Sequence, residues 1–209
     1  MDSLPESFKT VRGEAEAVII EKKSRFIATA APAVSEESAQ GFVASMRRKY
    51  RDATHNVYAY VAGTRGEYQR ASDDGEPSGT AGLPVLETIK REGLVNTVVN
   101  VTRYFGGTLL GASGLIRAYG RAARGGILAA GPVERVLYGR MSIEADYSLL
   151  RPLQRELAQN GCVTVETLYS HLVRINALVK LPDSARVVKR LMDITNGAAA
   201  VQLDGTEYL

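Results

Sequence analysis

The chain has 209 residues, 45% of them apolar and 23% charged, with a formal net charge of +3 and a single cysteine, Cys162. This composition excludes an intramolecular disulfide framework and a disordered acidic or polybasic chain. No apolar run approaches the ~20 residues a membrane helix needs, and the opening MDSLPESFKT is no secretory signal, so a soluble cytoplasmic protein with one large or two small cores is expected.

Taken in chain order, residues 15–32 alternate loosely and predict two strands joined near Lys22–Lys23–Ser24. Ser35 caps a helix with Glu36 and Glu37 in its first turn and Arg47, Arg48 and Lys49 at its end, an arrangement that suits the helix dipole. HNVYAYVAG (55–63) reads as a strand. The polar stretch SDDGEPSGTAG (72–82) reads as a loop, and 83–92 as a short helix with Pro84 in its first turn. The β-branched run 94–105 predicts a strand, FGGTLLGASG a glycine loop, and 113–124 a second long helix stopped by Gly125–Gly126.

From about Arg135 the pattern changes. A strand, an amphipathic helix closed by Gly161, two strands, a helix closed by Gly197 and a last strand follow in the order βαββαβ. That order matches a ferredoxin-like sandwich. A linker near Gly131–Glu134 gives expected domains at 1–134 and 138–209.

Charge is uneven. Between Gly93 and Val133 there is no Asp, Glu or Lys, and the charges are Arg103, Arg117, Arg121 and Arg124. The last three fall at i, i+4 and i+7, on one helical face, after a glycine loop whose amides can meet an anion. Arginine there suits bidentate pairing with phosphate or carboxylate. The plainer reading is a solvated face with arginines placed for the dipole.

The loop 72–82 admits three readings. Asp73, Asp74 and Glu76 offer oxygen ligands to a hard cation. Alternatively they cap backbone amides in a turn stiffened by Pro77, or they pair with Arg103 or the arginine helix. A hydrolase arrangement would take His55 as base, Ser78 or Thr80 as nucleophile and Asp74 as orienting acid, but no GxSxG elbow supports it. Cys162 reads as a buried inert thiol. His171 has no metal partners in sequence, and neither a P-loop, a GxGxxG nor a zinc spacing occurs.

ATHNVYAY (53–60), SDDGEPSGTAG (72–82), VTRYFGGTLLGASGLIRAY (101–119) and KSRFIA (23–28) together resemble the IMPACT family, its bacterial members in particular. The resemblance implies an α+β protein. Its N-terminal domain would be of the left-handed βαβ type, shared with domain two of a small-subunit ribosomal protein and domain four of elongation factor G. The tail would resemble the C-terminal domain of elongation factor G. In eukaryotic members the shared domain acts with ribosomes and a large activator of an initiation-factor kinase, and dampens that kinase. Family motifs often carry a second histidine or a cysteine after the Thr-His pair. Asn56 and Val57 stand there in this chain, which weakens a metal or thiol role.

The expected function is therefore translation-linked regulation by binding RNA or a ribosomal surface, without catalysis, metal or cofactor. Arg103, Gly106, Gly107, Arg117, Arg121 and Arg124 are the anion-binding candidates. His55, Asp73, Asp74, Glu76, Ser78 and Thr80 form a candidate functional loop. Two alternatives remain: a protein–protein module whose loop 72–84 and Tyr104–Gly107 accept an acidic or extended segment, and a metal-dependent hydrolase at the 72–82 loop.

Overall fold

The computed structural model describes residues 4–209. Those residues form an α+β protein with two antiparallel sheets and five α-helices. The chain divides into two compact units, the first ending at Glu134 and the second spanning Arg135–Leu209.

The first unit contains β1 (Ser7–Val11), β2 (Ala15–Glu21), β3 (Ser24–Pro32), α1 (Glu36–Lys49), β4 (His55–Ala62), β5 (Tyr68–Ser72), α2 (Gly82–Arg91), β6 (Thr97–Tyr104) and α3 (Ala112–Ala130). Its sheet runs in the order β2–β3–β6–β4–β5. Side chains alternate across the pleat. Phe26 and Ala28 on β3, Val99 and Val101 on β6, and Val57 and Ala59 on β4 face the core shared with α2 and α3. Ala31, Val98, Tyr60 and Ala62 face Ala39 and Val43 of α1. Both faces of the sheet are therefore covered, which is why its central strands read as nearly continuous apolar runs. The register sets Phe26 opposite Arg103 and Arg103 opposite His55.

α1 begins as its sequence predicts: Ser38 N–H donates to Ser35 Oγ at 3.1 Å, and Ser35 N–H donates to Ser38 Oγ at 3.0 Å. Two elements have no sequence signal. β1 is a five-residue strand whose Val11 is buried in the core and whose Lys9 bridges Leu94. β5 is an edge strand whose Tyr68, Gln69 and Arg70 are exposed and which is defined by its pairing with β4.

α3 corrects the expected stop at Gly125–Gly126. The helix runs on to Ala130 and ends at Gly131, whose φ is +72°. Gly126 sits where α3 presses on β3; a Cβ there would stand 2.8 Å from the Ala28 carbonyl oxygen. This glycine permits close packing rather than termination.

The second unit holds β7 (Pro132–Ala145), which begins just before the boundary, then α4 (Leu150–Gln159), β8 (Val163–Tyr169), β9 (Val173–Lys180), α5 (Ser184–Ile194) and β10 (Ala200–Tyr208). Its strands lie in the order β8–β9–β7–β10, all antiparallel. Leu153 and Leu157 of α4 and Val187 and Leu191 of α5 cover Ile143 and Ile175. Gly161 and Gly197 follow α4 and α5 with φ of +66° and +74°, the left-handed conformation that ends a helix. Cys162 packs against this core, and burial pushes its thiol up, away from the reactive thiolate.

Candidate functional site

The four quoted sequence stretches converge in the first unit, around the Glu76–Arg103 pair. Arg103 Nη1 donates to Glu76 Oε1 at 2.5 Å, and the Tyr119 hydroxyl donates to the same oxygen at 2.7 Å. Arg103 Nη2 reaches Ser24 Oγ at 3.3 Å. The guanidinium lies 5.4 Å from both the Phe26 and Phe105 ring centres. Arg103, Glu76 and Tyr119 are all buried. Burial, reinforced by the bond to Glu76, pushes the Tyr119 phenol far above its ordinary range, so it stays neutral and donates.

His55 borders this cluster. Its Nδ1 faces the Asp74 carbonyl oxygen at 2.8 Å; a carbonyl only accepts, so Nδ1 carries the proton. Nε2 lies 3.8 Å from Glu76 Oε1.

The other loop acids are engaged within the fold. Asp73 accepts from Gly79 N–H at 2.9 Å, Ala81 N–H at 3.0 Å and Gly82 N–H at 2.8 Å. Ala81 stands at the N-cap of α2 and has no side chain to cap with, so Asp73 supplies the cap from across the loop. Burial raises its carboxyl, but the three backbone N–H groups outweigh burial and hold it below its usual value. Asp74 accepts from Asn56 N–H at 2.7 Å and from Arg47 at 2.8 Å. Thr80 Oγ1 donates to the Pro77 carbonyl at 2.7 Å, while Ser78 is exposed.

These contacts select between the readings of the loop. Capping and arginine pairing are both present. The arginine partners are Arg103 and Arg47, and not the α3 face. The hydrolase relay is not assembled: His55 meets the backbone of Asp74 and not its carboxylate, and Thr80 turns to Pro77. Among the described residues no group of three His, Cys, Asp or Glu side chains is placed to hold a metal ion.

The anion-binding candidates divide. Arg103 is removed from solvent and committed to Glu76, which corrects the expectation that it meets a ligand. Gly106 is likewise committed. Its N–H donates to Ser24 Oγ at 3.2 Å, and a Cβ would stand 2.0 Å from the Lys23 carbonyl carbon. Gly107 is exposed with φ of +79°. Arg117, Arg121 and Arg124 do share an exposed face of α3. Arg121 donates to Glu21 at 2.6 Å and Arg124 to Glu92 at 3.1 Å. Arg117 has no hydrogen-bond or ion-pair partner among the described residues. It lines two concavities: a groove of about 730 Å³ between α2 and α3, and a hollow of about 360 Å³ beside Lys22 and Gly114.

Sequence reasoning missed Tyr119 as a member of the Glu76 cluster, because it reads as a core position of α3. It also missed Arg91 and Gly120, which line the groove. A glycine in the middle of an otherwise strong helix was the available signal.

Residues 22–127, which hold every one of these groups except Glu21, match the model of the Impact N-terminal domain. The chain belongs to the IMPACT family. Residues 143–198 match a second model, a domain of unknown function (DUF1949). The IMPACT family member YvyE of Bacillus subtilis is 39% identical over 97% of this chain and 94% of its own length. The IMPACT family member YigZ of Escherichia coli is 32% identical over 85% and 88%. Protein IMPACT of Mus musculus is 35% identical over 44% of this chain and 30% of its own length. A crystal structure of a hypothetical protein, 29% identical, superposes with a TM-score of 0.63 over 97% of this chain and 99% of that one. This is therefore a bacterial-type, two-domain IMPACT protein, and its α3 face and Glu76 cluster both lie in the IMPACT domain. None of its described helices is long and apolar enough to cross a membrane.

Proposed function

We propose that this protein is a cytoplasmic regulator linked to translation, which binds RNA or a ribosomal surface through the α3 face of its first unit and carries out no chemistry there. One observation carries the reading: Arg117 stands exposed and unpaired among the described residues, beside Arg121 and Arg124, on a helix that contributes no carboxylate of its own. The buried Glu76–Arg103 pair and the Asp73 cap give that face a stiff base, because they tie the loop 72–82 to β6 and to α2. The mouse relative named Protein IMPACT shares the matching domain, which supports a regulatory role.

The fold reading that accompanies this function takes residues 1–134 as a left-handed βαβ domain and 138–209 as a ferredoxin-like domain. The strand order β8–β9–β7–β10 with helices in βαββαβ order supports the second assignment.

The test is co-sedimentation with ribosomes at two salt concentrations. Wild-type protein is expected to pellet with ribosomes at low salt and to be released as salt rises, since phosphate contacts are screened. Arg117→Glu is expected to lower the pelleted fraction at low salt. Equal pelleting of wild type and Arg117→Glu would remove α3 from the binding face.

A further inference from the structure

We infer that the groove between α2 and α3 is the docking site for an acidic amphipathic helix of a protein partner. The inference rests on the reading above that α3 presents the binding face, and it names the occupant.

The groove has an apolar floor and a cationic rim. Leu83 and Ile116 are 51% and 45% exposed, one on each helix, with Pro84 beside them. Arg91 and Arg117 flank this floor, exposed and without a hydrogen-bond or ion-pair partner among the described residues. Arg121 and Arg124 hold Glu21 and Glu92 in exposed pairs. Such pairs are weak, so exchanging their carboxylates for a partner's costs little. Gly120 lies between the two rows. A Cβ there would meet only Thr88 Oγ1, at 3.6 Å, an ordinary contact. Packing within the unit therefore does not require glycine at 120, whereas it does at Gly126. Glycine at 120 leaves the floor open at a cost to helix stability.

Aliphatic anchors on one side of a helix and carboxylates on its flanks match this combination of floor and rim. A nucleic acid matches it less well. No aromatic side chain lines the groove to stack a base, and Glu87 and Glu92 lie along it.

The experiment uses the full chain and fluorescence anisotropy with three labelled probes: a synthetic amphipathic helix with leucines on one face and glutamates on its flanks, a scrambled peptide of the same composition, and oligouridine. Gly120→Leu plugs the floor and keeps every charge; Gly120→Ala controls for the fold. Binding of the amphipathic peptide alone, weakened about tenfold by Gly120→Leu and by Arg91→Glu but little by Gly120→Ala, supports the inference. Equal binding of the scrambled peptide overturns it, because charge alone then suffices. Failure of the amphipathic peptide to bind, or binding indifferent to Gly120→Leu, overturns it as well. If oligouridine alone binds and is lost in Arg117→Glu, the groove proposal falls while the RNA reading stands. If the peptide seats in the groove but ribosome sedimentation ignores Arg117→Glu, the ribosomal reading falls and the groove proposal stands.

Discussion

Arg103 of β6 and Glu76 of the 72–82 loop, 27 positions apart, meet at 2.5 Å with both side chains almost fully withdrawn from water. A buried ion pair of this kind is costly to form and more costly to break halfway. Its partners, Tyr119 and Ser24, satisfy part of what desolvation removes.

Removing one member strands the other. Glu76→Leu or Arg103→Met alone is expected to destabilise the first unit by about 3–5 kcal/mol in urea titration. The double variant is expected to be less destabilised than either single one, because no charge is left unpaired. Tyr119→Phe removes one bond to a carboxylate and is expected to cost about 1.5–3 kcal/mol. A double variant as unstable as the sum of the two singles would show that the pair is not coupled.

Asp73→Ala removes the cap of α2 and is expected to cost about 2 kcal/mol. The pH dependence has a definite sign. Asp73 has a lowered carboxyl value in the fold, so its stabilisation is complete above the unfolded value of about 3.9 and is lost as pH falls through the lower, folded one. Stability curves of wild type and Asp73→Ala should run parallel near neutrality and converge in acid. Parallel curves down to the acid limit would deny the cap.

Gly125 and Gly126 are neighbours in α3 with opposite expected responses to alanine. At 126 a Cβ collides with the β3 backbone, so Gly126→Ala is expected to cost about 1–3 kcal/mol. At 125 the nearest atom is the Ala17 Cβ at 3.4 Å, so Gly125→Ala is expected to be neutral or to gain up to about 1 kcal/mol from helix propensity. Thermal melting of the two variants checks the order.

Gly106→Ala and Gly107→Ala differ in mechanism. Alanine at 106 meets the Lys23–Ser24 backbone and must displace the loop or the β2–β3 turn, with an expected loss of about 2 kcal/mol or more. Alanine at 107 has room and bears only the strain of φ at +79°, about 1 kcal/mol. Similar losses at both positions would show that the close approach at Gly106 is relieved without cost.

Periodicity and capping were legible in the residues themselves. The Ser35 cap, the glycine ends of α4 and α5 and the apolar runs of β4 and β6 depend on neighbours within a few positions, so local chemistry encodes them. The arginine row of α3 was legible for the same reason, since i, i+4 and i+7 share a face wherever the helix is placed. β5 was not legible, because an exposed edge strand exists through its partner and not through its own pattern.

What only the tertiary structure decided is which charges are left over. Sequence placed Arg103, Arg117, Arg121 and Arg124 in a stretch free of acids, but the carboxylates that neutralise Arg103, Arg121 and Arg124, which are Glu76, Glu21 and Glu92, come from other elements. An ion pair needs a few ångströms of separation in space and says nothing about separation along the chain. Local residue order therefore determined that this protein carries an arginine face, and folding determined that Arg117 and Arg91, beside Gly120, are left exposed without an ion-pair partner among the described residues.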